Sequence, residues 1–118
     1  MNTIYGFGNA LVDIEIKLEE AQLKEVGIEK GSMRHISSQD LNAFLDLYSD
    51  QIFSKLPGGS IANSLHAANQ NNTTTHFSCS IGDDDYGEYF IDSFDDKRSS
   101  VSFSKSKLST GICLIFVT

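Results

Sequence analysis

The chain has 118 residues, 40% hydrophobic and 21% charged, a balance that fits one globular domain at the small end of ordinary sizes and argues against a disordered segment. Nine basic against sixteen acidic side chains give a formal net charge of −7, which argues against a sequence-independent grip on nucleic acid and leaves small molecules or proteins as partners. No stretch approaches the ~20 apolar residues of a membrane span, and the start Met1-Asn2-Thr3-Ile4 lacks a basic region followed by an apolar run, so the expectation is a cytoplasmic protein with no membrane partner.

In chain order, Thr3 to Phe7 reads as a strand running into a glycine turn at Gly8, and Leu11 to Leu18 alternates as a second strand. Asp13 interrupts that apolar run. A carboxylate inside a strand is costly unless solvated, paired or hydrogen-bonded, so Asp13 should face a groove or find a partner. Glu19 to Val26 reads as a short helix ended by Gly27, the usual place for a C-terminal glycine. Residues 32–36 alternate as an exposed or edge strand. Ser38 then stands as N-cap of a helix whose apolar face is Leu41, Phe44, Leu45 and Tyr48.

Ile52 to Leu56 leads as a strand into Pro57-Gly58-Gly59, and a helix from Ser60 to about Asn69 repeats Ile61, Leu65 and Ala68 on one face. Two adjacent glycines let the backbone take φ > 0 and let another molecule approach it closely. The first-turn N–H groups point outward, and the amide of Asn63 both donates and accepts, which suits hydroxyls; a plain glycine turn before a packed helix is the alternative. Residues 70–75 are polar turn, and His76 to Ile81 alternates as a strand. Gly82 to Asp85 turns the chain into a helix marked by Tyr86, Tyr89, Phe90 and Phe94. The acids Asp83-Asp84-Asp85 could take a hard cation, but acids ahead of a helix fit N-cap and dipole roles better. A short strand is expected near Val101-Ser102-Phe103, and Thr110 to Thr118 is an apolar β run. Strands alternating with helices predict an α/β fold with a largely parallel sheet, with a separate small sheet near residues 13–18 and 32–36.

His35, His66 and His76 have no Asp or Ser placed to make a nucleophile system legible. Cys79 and Cys113 sit in apolar, strand-like contexts without metal-ligand spacing, and are read as buried free thiols.

Four ordered segments, Gly8-Asn9-Ala10-Leu11-Val12-Asp13, Gly58-Gly59-Ser60-Ile61-Ala62-Asn63-Ser64, Ser80-Ile81-Gly82-Asp83-Asp84-Asp85-Tyr86-Gly87 and Thr110-Gly111-Ile112-Cys113, resemble the N-terminal part of the ribokinase-like (PfkB) carbohydrate kinases, most closely the adenosine kinase branch. The resemblance implies a Rossmann-like, mostly parallel sheet with helices plus a small β-sheet lid. It implies that residues 1–118 are the N-terminal part of one ribokinase-like domain, with lid strands around 13–18, 32–36 and 111–117 and the nucleotide-binding C-terminal part absent. The activity implied is ATP-dependent phosphorylation of a sugar or nucleoside hydroxyl, adenosine or a related ribonucleoside first and a small sugar next.

By the same resemblance Asp13 accepts sugar hydroxyls, Gly58 and Gly59 bind substrate and form the hinge that moves with the lid, Asn63 is a second sugar ligand, and Met33 and His35 lie over the substrate. The family's catalytic segment, of Gly-Ala-Gly-Asp type, does not occur here, so no catalytic residue and no metal ligand is expected in these 118 residues. ATP and Mg2+ belong to the complete enzyme, with binding residues outside this chain. The lid also allows a homodimer. A non-catalytic small-molecule-binding or protein-interaction module derived from such a kinase is the alternative reading.

Overall fold

In the computed structural model, which describes residues 2–118, the chain forms two units, Met1–Val12 with Leu56–Cys113 and Asp13–Lys55 with Leu114–Thr118. The elements are β1 (Thr3–Phe7), β2 (Leu11–Lys17), α1 (Glu20–Val26), α2 (Ser38–Leu47), β3 (Ile52–Gly58), α3 (Ser60–Gln70), β4 (Thr74–Gly82), α4 (Asp85–Asp92), β5 (Ser99–Ser106) and β6 (Gly111–Val117), with a 3-10 turn at Ser49–Gln51. The class is mixed α/β. None of the described helices is long and apolar enough to cross a membrane.

The sheet of the first unit has the order β1-β4-β5 with both pairs parallel, from Thr3↔Thr74 to Phe7↔Ser78 and from Thr75↔Ser99 to Gly82↔Ser106. Helix α3 lies close on β1 because β1 offers glycine: a Cβ on Gly6 would come within 2.7 Å of Ile61 Cγ2. The buried stripe of α3 is Ala62, Leu65 and Asn69, whereas Ile61, read on one apolar face with Leu65 and Ala68, stays 43% exposed while it covers Gly6 and Gly8. Buried Asn69 is satisfied, donating to the Thr73 carbonyl at 3.0 Å and accepting from Thr75 Oγ1 at 3.1 Å. Phe77 and Phe90, both fully buried, join Phe94 in an aromatic cluster, and Phe94 stacks on His66 at 4.3 Å.

The other face of this sheet is polar. The Tyr5 ring stacks on His76 at 5.0 Å, and the two ring nitrogens of His76 lie 2.7 Å from Ser100 Oγ and 3.1 Å from Ser102 Oγ. That pairing explains why β5 is longer than its apolar residues suggest: its serines are tied to the neighbouring strand.

In the second unit α1 begins at a capping box, with Glu19 N donating to Gln22 Oε1 at 2.9 Å, and ends at Gly27 with φ +74°. The N-cap of α2 is Ser37 rather than Ser38: its Oγ accepts from Asp40 N at 3.0 Å, the N3 amide that a cap one residue later would miss. Phe116 meets Phe44 and Tyr48 edge-on at 5.9 and 6.2 Å. The second sheet has the order β3-β2-β6. Along β2 the burial alternates, with Val12, Ile14 and Ile16 buried and Leu11, Asp13 and Glu15 half-buried on the opposite side.

The strand expected at 32–36 does not form. Ser32 instead makes a local turn, its N and Oγ both donating to the Glu29 carbonyl, at 3.0 and 2.6 Å, and Arg34 reaches the Val26 and Gly27 carbonyls. Alternation over five residues makes a strand only where another strand pairs with it, and the partner of β2 on that side is β3.

Candidate functional site

Strand β3 ends at Gly58, which is buried, and Gly59 starts the turn into α3 with φ +96° and ψ +135°. Only the second glycine of the pair adopts positive φ. A Cβ on Gly59 would lie 3.2 Å from the Asn9 carbonyl oxygen, so this turn fits tightly against the chain leaving β1. No side chain caps α3; Asn63 N donates to the Gly59 carbonyl at 2.9 Å, and the Asn63 side chain is exposed. Gly58, Gly59 and Asn63 thus sit together at one strand–helix junction.

In the same unit a groove of about 250 Å³ opens at the carboxyl ends of the parallel strands, where α/β sheets characteristically take ligands. Asn9, Leu11, Ser80, Ser106, Leu108 and Thr110 line it. Its wall is tied to α4 by Asp84, whose Oδ1 accepts from Gly87 N at 2.8 Å and Thr110 Oγ1 at 2.7 Å, while Oδ2 accepts from Thr110 N at 2.9 Å. Burial alone would raise the Asp84 pKa; the hydrogen bonds from Thr110 and Gly87 outweigh it and hold the carboxyl below its ordinary value.

Asp13, Met33 and His35 belong to the second unit. Asp13 is half-buried on β2, and among the described residues no group donates a hydrogen bond to its carboxylate. Its pKa is raised, first by burial and then by Glu15 two residues along on the same side of the strand. Met33 is 89% exposed, and His35 is exposed in the same irregular segment.

Two of the three adjacent acids are engaged by the fold. Asp84 is the N-cap of α4 with three donors on it, and Asp83 pairs with Lys105 at 3.2 Å. Among the described residues no three His, Cys, Asp or Glu side chains gather to hold a metal ion. The N-terminus of α4 is filled by the Asp84 carboxylate, so it does not suit phosphate either. Mg2+ and the ATP phosphates therefore find no fitting residues there.

Cys79 and Cys113, expected to be buried, are half-buried. Sequence reasoning did not single out Asn9, Asp84 or Thr110 as site residues. Thr110 had one signal, a Thr-Gly pair opening an apolar strand, but its partner lies 26 residues away.

A family model described as pfkB family carbohydrate kinase matches residues 32–118. Among solved structures, the chain is similar to adenosine kinase from Sinorhizobium meliloti, with 25% identity over 97% of this chain and 35% of that one and a TM-score of 0.75. It is similar to Anopheles gambiae adenosine kinase, with 23% identity over 98% of this chain and 35% of that one and a TM-score of 0.80. It is similar also to Schistosoma mansoni adenosine kinase solved with adenosine, with 17% identity over 97% of this chain and 35% of that one and a TM-score of 0.80. The chain spans about a third of the length of these structures.

Proposed function

Because the chain belongs to the pfkB family of carbohydrate kinases, we propose that it serves ATP-dependent phosphorylation of a sugar or nucleoside hydroxyl, holding the substrate while the phosphate-transfer residues lie outside these 118 positions. A ribonucleoside such as adenosine is the favoured substrate and a small sugar the next, a preference supported by the adenosine kinases among the similar structures. In this reading residues 1–118 are the N-terminal part of one ribokinase-like domain and the second sheet is its lid. The enzyme works in the cytoplasm with ATP and Mg2+. Homodimerisation through the lid would use apolar side chains such as Ile52 and Phe53, which β3 leaves exposed.

The observation that carries the reading is Asp13. A half-buried carboxylate with a second carboxylate beside it costs folding free energy, and among the described residues nothing donates to it. Substrate hydroxyls would donate to it. Gly58, Gly59 and Asn63 offer amide groups and close backbone approach at the α3 junction, and Met33 and His35 supply cover.

Calorimetric titration of the chain with adenosine and with ribose tests this. Asp13→Ala should weaken binding by about 1.5–3 kcal/mol, the range for hydrogen bonds to a charged group. An unchanged Kd in that variant makes Asp13 structural and removes the main support. The non-catalytic alternative is separated by turnover. In this reading the catalytic base lies outside these residues, so the chain should phosphorylate neither compound with Mg-ATP. Turnover above a no-protein control overturns the division of labour proposed here.

A further inference from the structure

We propose that Asp84 is a positioning residue for the groove of the first unit: it fixes Thr110 and Gly111 against Asn9–Leu11 and so sets how tightly the groove holds its ligand. The inference rests on the reading above in taking adenosine as the ligand, and adds that adenosine enters this groove.

Thr110 is held by side chain and main chain at once. Its N and Oγ1 both donate to Asp84, and its Oγ1 accepts from Gly82 N at 2.9 Å. It is also the one buried residue in the stretch 105–110. The same carboxylate caps α4, so one group ties the helix to the groove wall.

There is no slack around this anchor. A Cβ on Gly82 would lie 2.6 Å from Thr110 N and 2.8 Å from the Leu108 carbonyl oxygen, and one on Gly87 would lie 2.9 Å from Thr110 Oγ1. A Cβ on Gly111 would lie 2.7 Å from Leu11 Cδ2 and 3.1 Å from the Ala10 carbonyl oxygen, so a displaced wall closes on the opposite one. A shift of a few tenths of an ångström at Thr110 therefore passes directly into the groove.

The polar atoms of the clamp are spent on one another, which separates positioning from binding. Both Asp84 oxygens and the Thr110 hydroxyl are occupied before any ligand arrives. The identity of the acid follows from the count: donors converge on both oxygens, and an Asn would turn an NH2 group toward one of them.

The test compares Asp84→Asn, Thr110→Val and Thr110→Ser with the parent chain, by adenosine titration and by hydrogen exchange at single amides. Asp84→Asn and Thr110→Val should each weaken adenosine binding tenfold or more with the far-UV spectrum unchanged, while Thr110→Ser, which restores the hydroxyl, stays within threefold of the parent. Amide protection should fall at Thr110 and Gly111 and persist at Phe77. Equal binding by the Val and Ser variants overturns the proposal. So does unchanged protection at Thr110 and Gly111, or a loss spread evenly through the unit, which would make Asp84 a helix cap alone. If the parent chain binds neither adenosine nor ribose, the functional reading fails, and the positioning role stands or falls on the exchange result. If Asp84→Asn does not fold, the Val–Ser comparison decides.

Discussion

Replacing Gly59 by Ala puts a Cβ where the structure leaves no place for one. At φ +96° and ψ +135° an L side chain is strained by about 1–3 kcal/mol, before the 3.2 Å approach to the Asn9 carbonyl oxygen is counted. Stiffening the unfolded chain returns about 0.4–1 kcal/mol, and crowding against that oxygen adds about 1 kcal/mol, so from the middle of these ranges the net loss should be about 2–3 kcal/mol. Gly27 is the internal control: its φ is +74°, but nothing lies within 4 Å of a Cβ there, so Gly27→Ala should cost only about 1 kcal/mol. With an unfolding entropy of about 2.1 cal/mol/K per residue, the two variants should lower Tm by about 8–12 °C and about 4 °C. Urea unfolding and calorimetry on both measure this directly. Equal losses would show that the Asn9 contact does not constrain the turn. The folded state needs glycine at 59 even at rest, so a hinge role requires more: adenosine affinity of the folded fraction must also fall in Gly59→Ala.

Asp13→Asn should stabilise the chain. A carboxyl whose folded pKa lies above 3.8 favours the folded state while protonated and loses that advantage as pH rises through the folded value. The urea midpoint of the Asn variant should therefore gain on the parent from acid to neutral pH, and a gap that does not widen refutes the burial argument. His66 has the opposite sign: burial lowers its pKa below 6.5, partly offset by Asp95, and its Nε2 is buried without a partner among the described residues. Stability should fall as pH drops below 6.5, and His66→Phe, which keeps a ring against Phe94, should flatten that slope. Phe90→Ala, at a fully buried position against Phe77 and Phe94, should cost about 3–5 kcal/mol in urea unfolding, and a loss under 1 kcal/mol would mean the cluster collapses around the gap.

The elements legible in the sequence were those whose cause is local. Gly27 ends α1 because a left-handed residue caps a helix, and β2 announces itself by strict alternation at Val12, Ile14 and Ile16. Residues 32–36 carried a similar alternation, but pairing is decided by another strand, and none is there. The full length of β5 was hidden because Ser99, Ser100, Ser102 and Ser104 read as turn residues, while the Ser100 and Ser102 hydroxyls answer His76, Ser100 Oγ also donates to the Thr75 carbonyl, and the Ser104 carbonyl accepts from Ser80 Oγ, all 24 residues or more away. In the site, the Gly58-Gly59 turn was visible from its two glycines, whereas which of them takes positive φ depended on the Asn9 carbonyl. The Asp84 clamp was half visible: an acid before a helix signals a cap, but nothing near it in sequence points to Thr110.

The first unit is built from two stretches of chain with residues 13–55 between them, and this dictates when it can mature. Among the described residues strand β1 pairs only with β4, and Thr3 meets Thr74, 71 residues later. At about 5–20 residues per second on the ribosome, β1 waits roughly 4–14 s for that partner. Loop closure of this length is slow beside helix formation, so α1 and α2 can form while Ile4, Tyr5 and Phe7 are still unpaired. The emergence of β4 is therefore the step that times the maturation of this sheet, and a nascent chain paused before Thr74 would present β1 to whatever binds exposed strands.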